Sequence, residues 1–182
     1  VGNLSSLLYR VDASFESADA WRNAGARRLN LSPSLTWIPQ ERVRLSVMQA
    51  FNRDNFDGDA GVPVDVTFLP NYNPSWRFNT PEDFAANRDS QTNVLLNVAL
   101  PRDFQFRNSF FYRYANDEYF TSESLTYRPD LNEVARQFLY FKHHRRPVLN
   151  QADVTGSFRF AAMKHLFVAG YEYQDFFNFT NR

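Results

Sequence analysis

The densest group of side chains able to do chemistry is Lys142-His143-His144-Arg145-Arg146, two imidazoles inside a basic run. Neighbours on an extended strand point to opposite faces, so these histidines are not expected to close on one metal ion. The run reads as a solvated segment near a polar rim, and its functional use would be attraction of an anion. A second group lies in residues 54–88, where Asp54, Asp57 and Asp59 surround Gly58. A twelve-residue calcium loop must end on a ligating Glu, and counted from Asp54 that position is Asp65, so Ca²⁺ is not expected there. The same stretch sets Tyr72, Trp76 and Phe78 beside Arg77. Aromatic rings in an exposed loop either pack on one another, the commoner outcome, or meet a ligand. Enzyme signatures are absent: there is no G-x-S-x-G elbow, no phosphate-cradling Gly-rich loop and no H-E-x-x-H helix. With 3 His among many Ser, chance explains any Ser–His pair across strands, and the chain reads as a non-enzyme. The absence of Cys removes thiol catalysis, disulfides and thiolate metal sites.

Whatever these groups do, period-2 elements must position them. Leu7, Tyr9, Val11, Ala13 and Phe15 alternate with Leu8, Arg10, Asp12, Ser14 and Glu16. The same apolar–polar alternation recurs in Leu29–Trp37, Val43–Phe51, Val94–Leu100, Phe104–Tyr114, Ala152–Phe160 and Phe167–Tyr173. Successive strand side chains point to opposite faces, so this pattern predicts about seven long strands, and no stretch shows helical periodicity. Asn108 interrupts one apolar row, and Pro33, which lacks a ladder N–H, is expected to mark a local bulge. Pro39-Gln40-Glu41, Pro101-Arg102-Asp103 and Ala161-Ala162-Met163 read as short turns. Longer polar connections are expected at 17–26, at 54–88 and somewhere within 119–146, unless the last continues as strand through Arg136, Phe138, Tyr140 and Lys142.

Composition narrows the class. The chain has 182 residues, roughly one domain's length, with 20 basic and 20 acidic side chains. Zero net charge argues against nucleic acid as a partner, since phosphate contacts need surplus Lys and Arg. Nineteen Phe and nine Tyr argue against disorder. No stretch approaches 18 apolar residues, which excludes a transmembrane helix. Val1-Gly2-Asn3-Leu4 carries neither a basic n-region nor an apolar run, and without an initiating Met the chain reads as an interior piece of something longer.

Strands of about 12 residues, tilted near 45°, would span about 28 Å, the height of a membrane's apolar band. On the apolar faces, Trp37, Phe104, Phe106, Phe158, Phe160 and Phe167 lie near the short turns. Phe15, Phe51, Tyr112, Tyr114, Tyr171 and Tyr173 lie near the long loops, with aliphatic residues such as Val11, Leu31, Leu45, Val47 and Leu96 between. Two aromatic girdles around an aliphatic belt are the lipid-facing pattern of an outer-membrane barrel. Arg10, Arg28, Arg44, Arg107, Arg113 and Arg159 on the polar faces are expected to pair with carboxylates such as Asp12, Glu16 and Asp153 inside a watery lumen. Seven hairpin-linked strands leave the first and last parallel, so they cannot close on each other, and an open edge in lipid is untenable. A segment of a larger barrel is therefore the expected fold.

Three stretches carry a resemblance to a known family. They are Ser32-Pro33-Ser34-Leu35-Thr36-Trp37-Ile38-Pro39, Asn150-Gln151-Ala152-Asp153-Val154-Thr155-Gly156-Ser157-Phe158 and His165-Leu166-Phe167-Val168-Ala169-Gly170-Tyr171-Glu172-Tyr173. In order and spacing they resemble strand signatures of TonB-dependent outer-membrane receptors, particularly the ferric-siderophore branch, across nearly the whole chain. The resemblance implies an all-β, antiparallel transmembrane β-barrel segment of about seven up-and-down strands, part of an about 22-stranded barrel with a plugged lumen. Residues 1–182 would form a partial barrel domain in the bacterial outer membrane, without the plug, the TonB box or the remaining strands. The implied function is import of ferric-siderophore complexes with TonB-derived energy, this chain supplying wall and extracellular loops. The implied partners are the ferric-siderophore, the TonB complex through the plug, and outer-membrane lipid and lipopolysaccharide. No intrinsic cofactor or protein metal site is expected, because iron belongs to the ligand. The candidate ligand contacts are Tyr72, Trp76, Arg77, Arg113 and Tyr119. Two other readings stay open: a soluble all-β binding module, and a TonB-dependent receptor for cobalamin, a sugar or another metal complex.

Overall fold

A computed structural model describes residues 5–19, 22 and 24–181, so the reading of Val1-Gly2-Asn3-Leu4 lies outside the described residues. Seven strands form one antiparallel up-and-down sheet in chain order. They are β1 (Ser6–Asp19), β2 (Gly25–Gln40), β3 (Val43–Phe56), β4 (Phe84–Ala99), β5 (Gln105–Arg128), β6 (Glu133–Phe160) and β7 (Met163–Asn181). One 3₁₀ turn, Val64–Phe68, lies between β3 and β4. No helix among the described residues is long and apolar enough to cross a membrane.

The register keeps the two faces chemically distinct. Leu7, Trp37, Leu45, Leu96, Asn108, Ala152 and Tyr171 pair in turn across all seven strands, forming one nearly apolar row. One residue away, Leu8, Thr36, Ser46, Leu95, Ser109, Gln151 and Glu172 form the matching polar row. Because the period is two, a one-residue slip would exchange the faces, so the hydrophobic pattern itself forbids it.

Polar residues in the apolar rows satisfy one another. The amides of Asn108 and Asn150 exchange hydrogen bonds at 3.3 Å in each direction, and Asn108 Nδ2 also donates to the Gln151 carbonyl at 3.1 Å. On β3 and β4, Gln49 Nε2 donates to Ser90 Oγ at 2.9 Å while Thr92 Oγ1 donates to Gln49 Oε1. Such internal pairing is what polar groups need among apolar neighbours. The girdle at the short-turn end is packed as well. Phe104 lies over Gly156, where its ring leaves no room for a Cβ, and Phe104 also meets Phe167 at 6.2 Å between centroids. Phe158 stacks on His165 at 5.2 Å.

The connections depart from the expected wiring. β1 runs to Asp19 and β2 restarts at Gly25, so strand takes both ends of the 17–26 connection. In 119–146 the strand alternative holds: only residues 129–132 turn, because alternation through Phe138 and Tyr140 carries the ladder on from Phe120↔Tyr140 to Arg128↔Glu133. The long connection between β3 and β4 is the one that remains. Pro33 is a second difference: it sits opposite Val11 without a bulge, and the β2–β3 register holds from Leu31↔Phe51 to Ser34↔Met48. The pairs at 32 and 33 are simply missing from that ladder, as expected of a strand lacking one N–H. The register shift falls instead between Trp37 and Gln40, beside Pro39.

At the β6–β7 turn, Ala161 (φ 49°) and Ala162 (φ 63°) occupy left-handed positions. Two consecutive positive φ values are the two-residue hairpin geometry that favours Asn-Gly, and each alanine there costs about 1 kcal/mol. The double substitution Ala161→Asn/Ala162→Gly is expected to raise stability by about 1–2 kcal/mol, read as a later urea midpoint. An unchanged or earlier midpoint would contradict the strain.

Candidate functional site

The residues able to meet a ligand gather at the end of the sheet that carries the long loop. Residues 57–83 leave β3 and return to β4, and they are fastened at several points. Asp57 N donates to the Gly25 carbonyl at 2.9 Å. Arg22 and Asp59 form an ion pair at 3.1 Å, joining this loop to the β1–β2 connection. Arg77 Nη2 donates to the Gly58 carbonyl at 3.1 Å, and Gly58 lies so near Thr121 of β5 that an added Cβ would stand 2.9 Å from its hydroxyl. Asn79 Oδ1 accepts from Ala60 N at 2.9 Å.

The strongest fastening is Asp83, 3% exposed, where the loop enters β4. The β4–β5 ladder ends at Phe84↔Phe120, leaving the N–H of Ser122 beyond it without a strand partner. The Asp83 carboxylate takes that place, accepting from Ser122 N at 2.7 Å and Ser122 Oγ at 3.1 Å. It also accepts from Thr80 Oγ1 at 2.7 Å and from the Asn79 amide. Burial by itself pushes the carboxyl's pKa up. The hydrogen bonds from the Ser122 N–H, Thr80, Asn79 and the Ser122 hydroxyl outweigh it and hold the group at about 2.

Tyr72, Trp76 and Phe78 stand edge to face, Tyr72–Trp76 at 6.1 Å and Trp76–Phe78 at 6.4 Å between centroids. The loop's rings therefore pack on one another, and all three keep partial exposure. Arg77 is turned toward Gly58 and lies 3.9 Å from the Asp57 carboxylate. On the polar face of the sheet, Arg113 is bound to Asp89, which also accepts from Asn52 Nδ2 at 3.1 Å. Further along the same row, Tyr119 meets Phe141 edge to face, and Phe141 in turn meets His143 at 4.3 Å. Arg145 pairs with Asp117 there. The candidates thus form two groups, the loop cluster of Tyr72, Trp76 and Arg77 and the polar-face pair of Arg113 and Tyr119.

Residues without a part in the sequence reading complete the site, Asp83, Ser122, Asp89 and Phe141, together with His143 of the basic run. Thr80-Pro81-Glu82-Asp83 carries a Thr-to-Asp spacing typical of a locally capped turn, a usable signal. The two adjacent histidines do part company. His143 lies on the polar face beside Phe141, and His144 lies on the apolar face 6.2 Å from Phe179. No group of three or more potential metal ligands occurs among the described residues.

No protein-family model and no curated protein matches the sequence. Solved structures do match. The ferric-catecholate import receptor Fiu from E. coli K12 aligns with 98% of the chain at a TM-score of 0.77 and 13% identity. The siderophore receptor PiuA from Acinetobacter baumannii aligns with 98% at 0.72 and 18% identity. BauA, the ferric preacinetobactin receptor of the same species, aligns with 97% at 0.76 and 16% identity. The chain has the fold of a receptor-barrel segment. It spans 28% of Fiu and 27% of each of the other two. As a barrel segment it presents an apolar wall on one face, a polar lumen wall on the other, and a fastened loop at one end.

Proposed function

We propose that this chain is wall and mouth of a TonB-dependent outer-membrane receptor that imports ferric-siderophore complexes. The observation that carries the reading is the agreement of all seven strands with barrel segments of three siderophore receptors over 97–98% of the chain. The two-faced register supports the outer-membrane location, since lipid and water select opposite rows of the same strands. In this reading the 57–83 loop and the lumen mouth meet the chelate, with Tyr72, Trp76 and Tyr119 offering rings and Arg77 and Arg113 offering charge. Ferric iron travels as part of the ligand. The plug of the full receptor, displaced by the TonB complex, would open the way through. No bond is made or broken on this segment.

The test uses the intact parent receptor. Cells expressing it should accumulate radiolabelled iron from at least one of a panel of catecholate, hydroxamate and mixed ferric chelates, well above a deletion strain. Trp76→Ala should lower that uptake about tenfold. If no ferric chelate separates parent from deletion strain, the siderophore claim fails, and cobalamin, a sugar or another metal complex becomes the cargo to try. Fractionation of the parent with soluble protein would remove the receptor reading altogether and favour a soluble binding module.

A further inference from the structure

A ligand arriving at the loop end meets a polar face whose guanidinium groups are already neutralised. There the register sets Glu16, Arg28, Asp54, Asn87, Asp117 and His143 in one row from β1 to β6. Arg28 turns to Glu16 at 3.2 Å, so Asp54 on its other side has no cation partner among the described residues. Asp117 is taken by Arg145 of the next row, Asp89 by Arg113, and Asp12 by Arg10 at 2.7 Å. From Arg10 to the loop end, five carboxylates on this face thus stand against four arginines. The other basic side chains at this level, Arg27, Arg53, Arg88, Lys142 and Arg146, fall one residue out of these rows and lie on the opposite face.

The 57–83 loop tips the balance further. It carries Asp57, Asp59, Asp65, Glu82 and Asp83 against Arg77 alone. Arg22 reaches Asp59 at 3.1 Å and Arg77 lies 3.9 Å from Asp57, while Asp65 and Glu82 are exposed and make no ion pair with a described residue. The rim is therefore net negative around the rings of Tyr72, Trp76 and Phe78. A cleft lined by one sign of charge concentrates ligands of the other sign and repels its own. We propose that this mouth selects ferric chelates without negative charge, neutral or cationic trishydroxamates, and rejects trianionic tris-catecholates. Asp54, Asp65 and Glu82 would attract an ammonium group on the ligand, and the faces of Tyr72 and Trp76 would receive its alkyl linkers or its cation. Arg77 and Arg113, each held beside a carboxylate, would donate N–H bonds to hydroxamate oxygens without bringing net positive charge.

This selectivity rests on the siderophore-receptor reading above, and the experiment separates the two. Full-length parent receptor, purified in a non-ionic detergent, is titrated with three ferric chelates while quenching of tryptophan fluorescence reports binding. The probes are ferrioxamine B, a cationic trishydroxamate, ferrichrome, a neutral one, and ferric enterobactin, a trianionic tris-catecholate. At low salt both hydroxamates should bind at least about tenfold more tightly than the catecholate, and the gap should narrow as salt rises. The variant Asp54→Asn/Asp65→Asn/Glu82→Gln should weaken ferrioxamine B about fivefold. Its affinity for ferrichrome should not change, which also shows that it is folded. Arg44→Gln, at the far end of the same face, should alter none of the three. Catecholate bound as tightly as either hydroxamate, or ferrioxamine B indifferent to the triple variant, would overturn the charge selection and leave the receptor reading standing. Binding of neither hydroxamate would overturn it as well. Failure of every catecholate, hydroxamate and mixed ferric chelate would sink the siderophore reading with it.

Discussion

Leu96→Arg is expected to destabilise the parent barrel by about 2 kcal/mol or more, whereas Leu95→Arg, one residue earlier, is expected to cost less than about 1 kcal/mol. The substitution is chemically identical and the sites are adjacent, so propensity and unfolded-state effects largely cancel. What differs is the face. Leu96 stands between Leu45 and Asn108 in the row that also holds Trp37 and Tyr171. Leu95 stands between Ser46 and Ser109 in the polar row. A guanidinium at 96 must be drawn through hydrocarbon or snorkel away from the belt, while one at 95 enters water. Urea unfolding of the receptor in lipid vesicles measures both. Equal costs, or a larger cost at 95, would mean that the faces are assigned the wrong way round.

Asp83→Ala is expected to free the 57–83 loop while leaving the wall intact. It removes every acceptor that the carboxylate supplies and strands the buried N–H of Ser122, which is 0% exposed. The pKa sets the scale. A carboxyl held near 2 rather than its ordinary 3.8 contributes about 2 kcal/mol when ionised. Because the folded value is the lower one, that contribution is complete above about pH 4 and fades as pH falls toward 2. Loop opening should therefore rise on the order of 30-fold in Asp83→Ala at neutral pH, seen as faster amide exchange around Ser122 and Trp76. Acidification should produce the same acceleration in the unmutated receptor and little more in the variant. Unchanged exchange in Asp83→Ala would show that the loop is held by its other contacts.

The strands were legible because one face had to be apolar along its whole length. Leu7 through Phe15, or Val43 through Phe51, admit only a period of two, and the observed pairs respect it. The loops were less legible, because a polar stretch such as 119–146 suits a watery loop and a ribbon standing in water equally well. Pro33 misled for a related reason. Composition tells that an N–H is missing but not whether the chain bulges or the ladder skips a rung. The loop cluster of Tyr72, Trp76 and Phe78 was visible from residue type. Of Asp83 only the capped turn with Thr80 is legible, since its hold on Ser122 depends on where β4 stops beside β5. Long-range register decides such a contact, and no local pattern reports it.

The β5–β6 ribbon has a use of its own. Beyond Phe84, on the β4 side, it has no neighbouring strand among the described residues, yet its ladder continues to Arg128↔Glu133. Eight residues of β5, roughly 25 Å at strand rise, carry the turn at 129–132 away from the wall. The irregular register between Glu123 and Thr126 twists the β5 edge of the ribbon and discourages edge-to-edge pairing there. An epitope or fluorophore inserted beside Asp130, which is exposed at the tip, would therefore sit in solution with its surroundings undisturbed. The molecule carries its own mast for a label, set apart from the 57–83 loop and from the paired rows of the sheet.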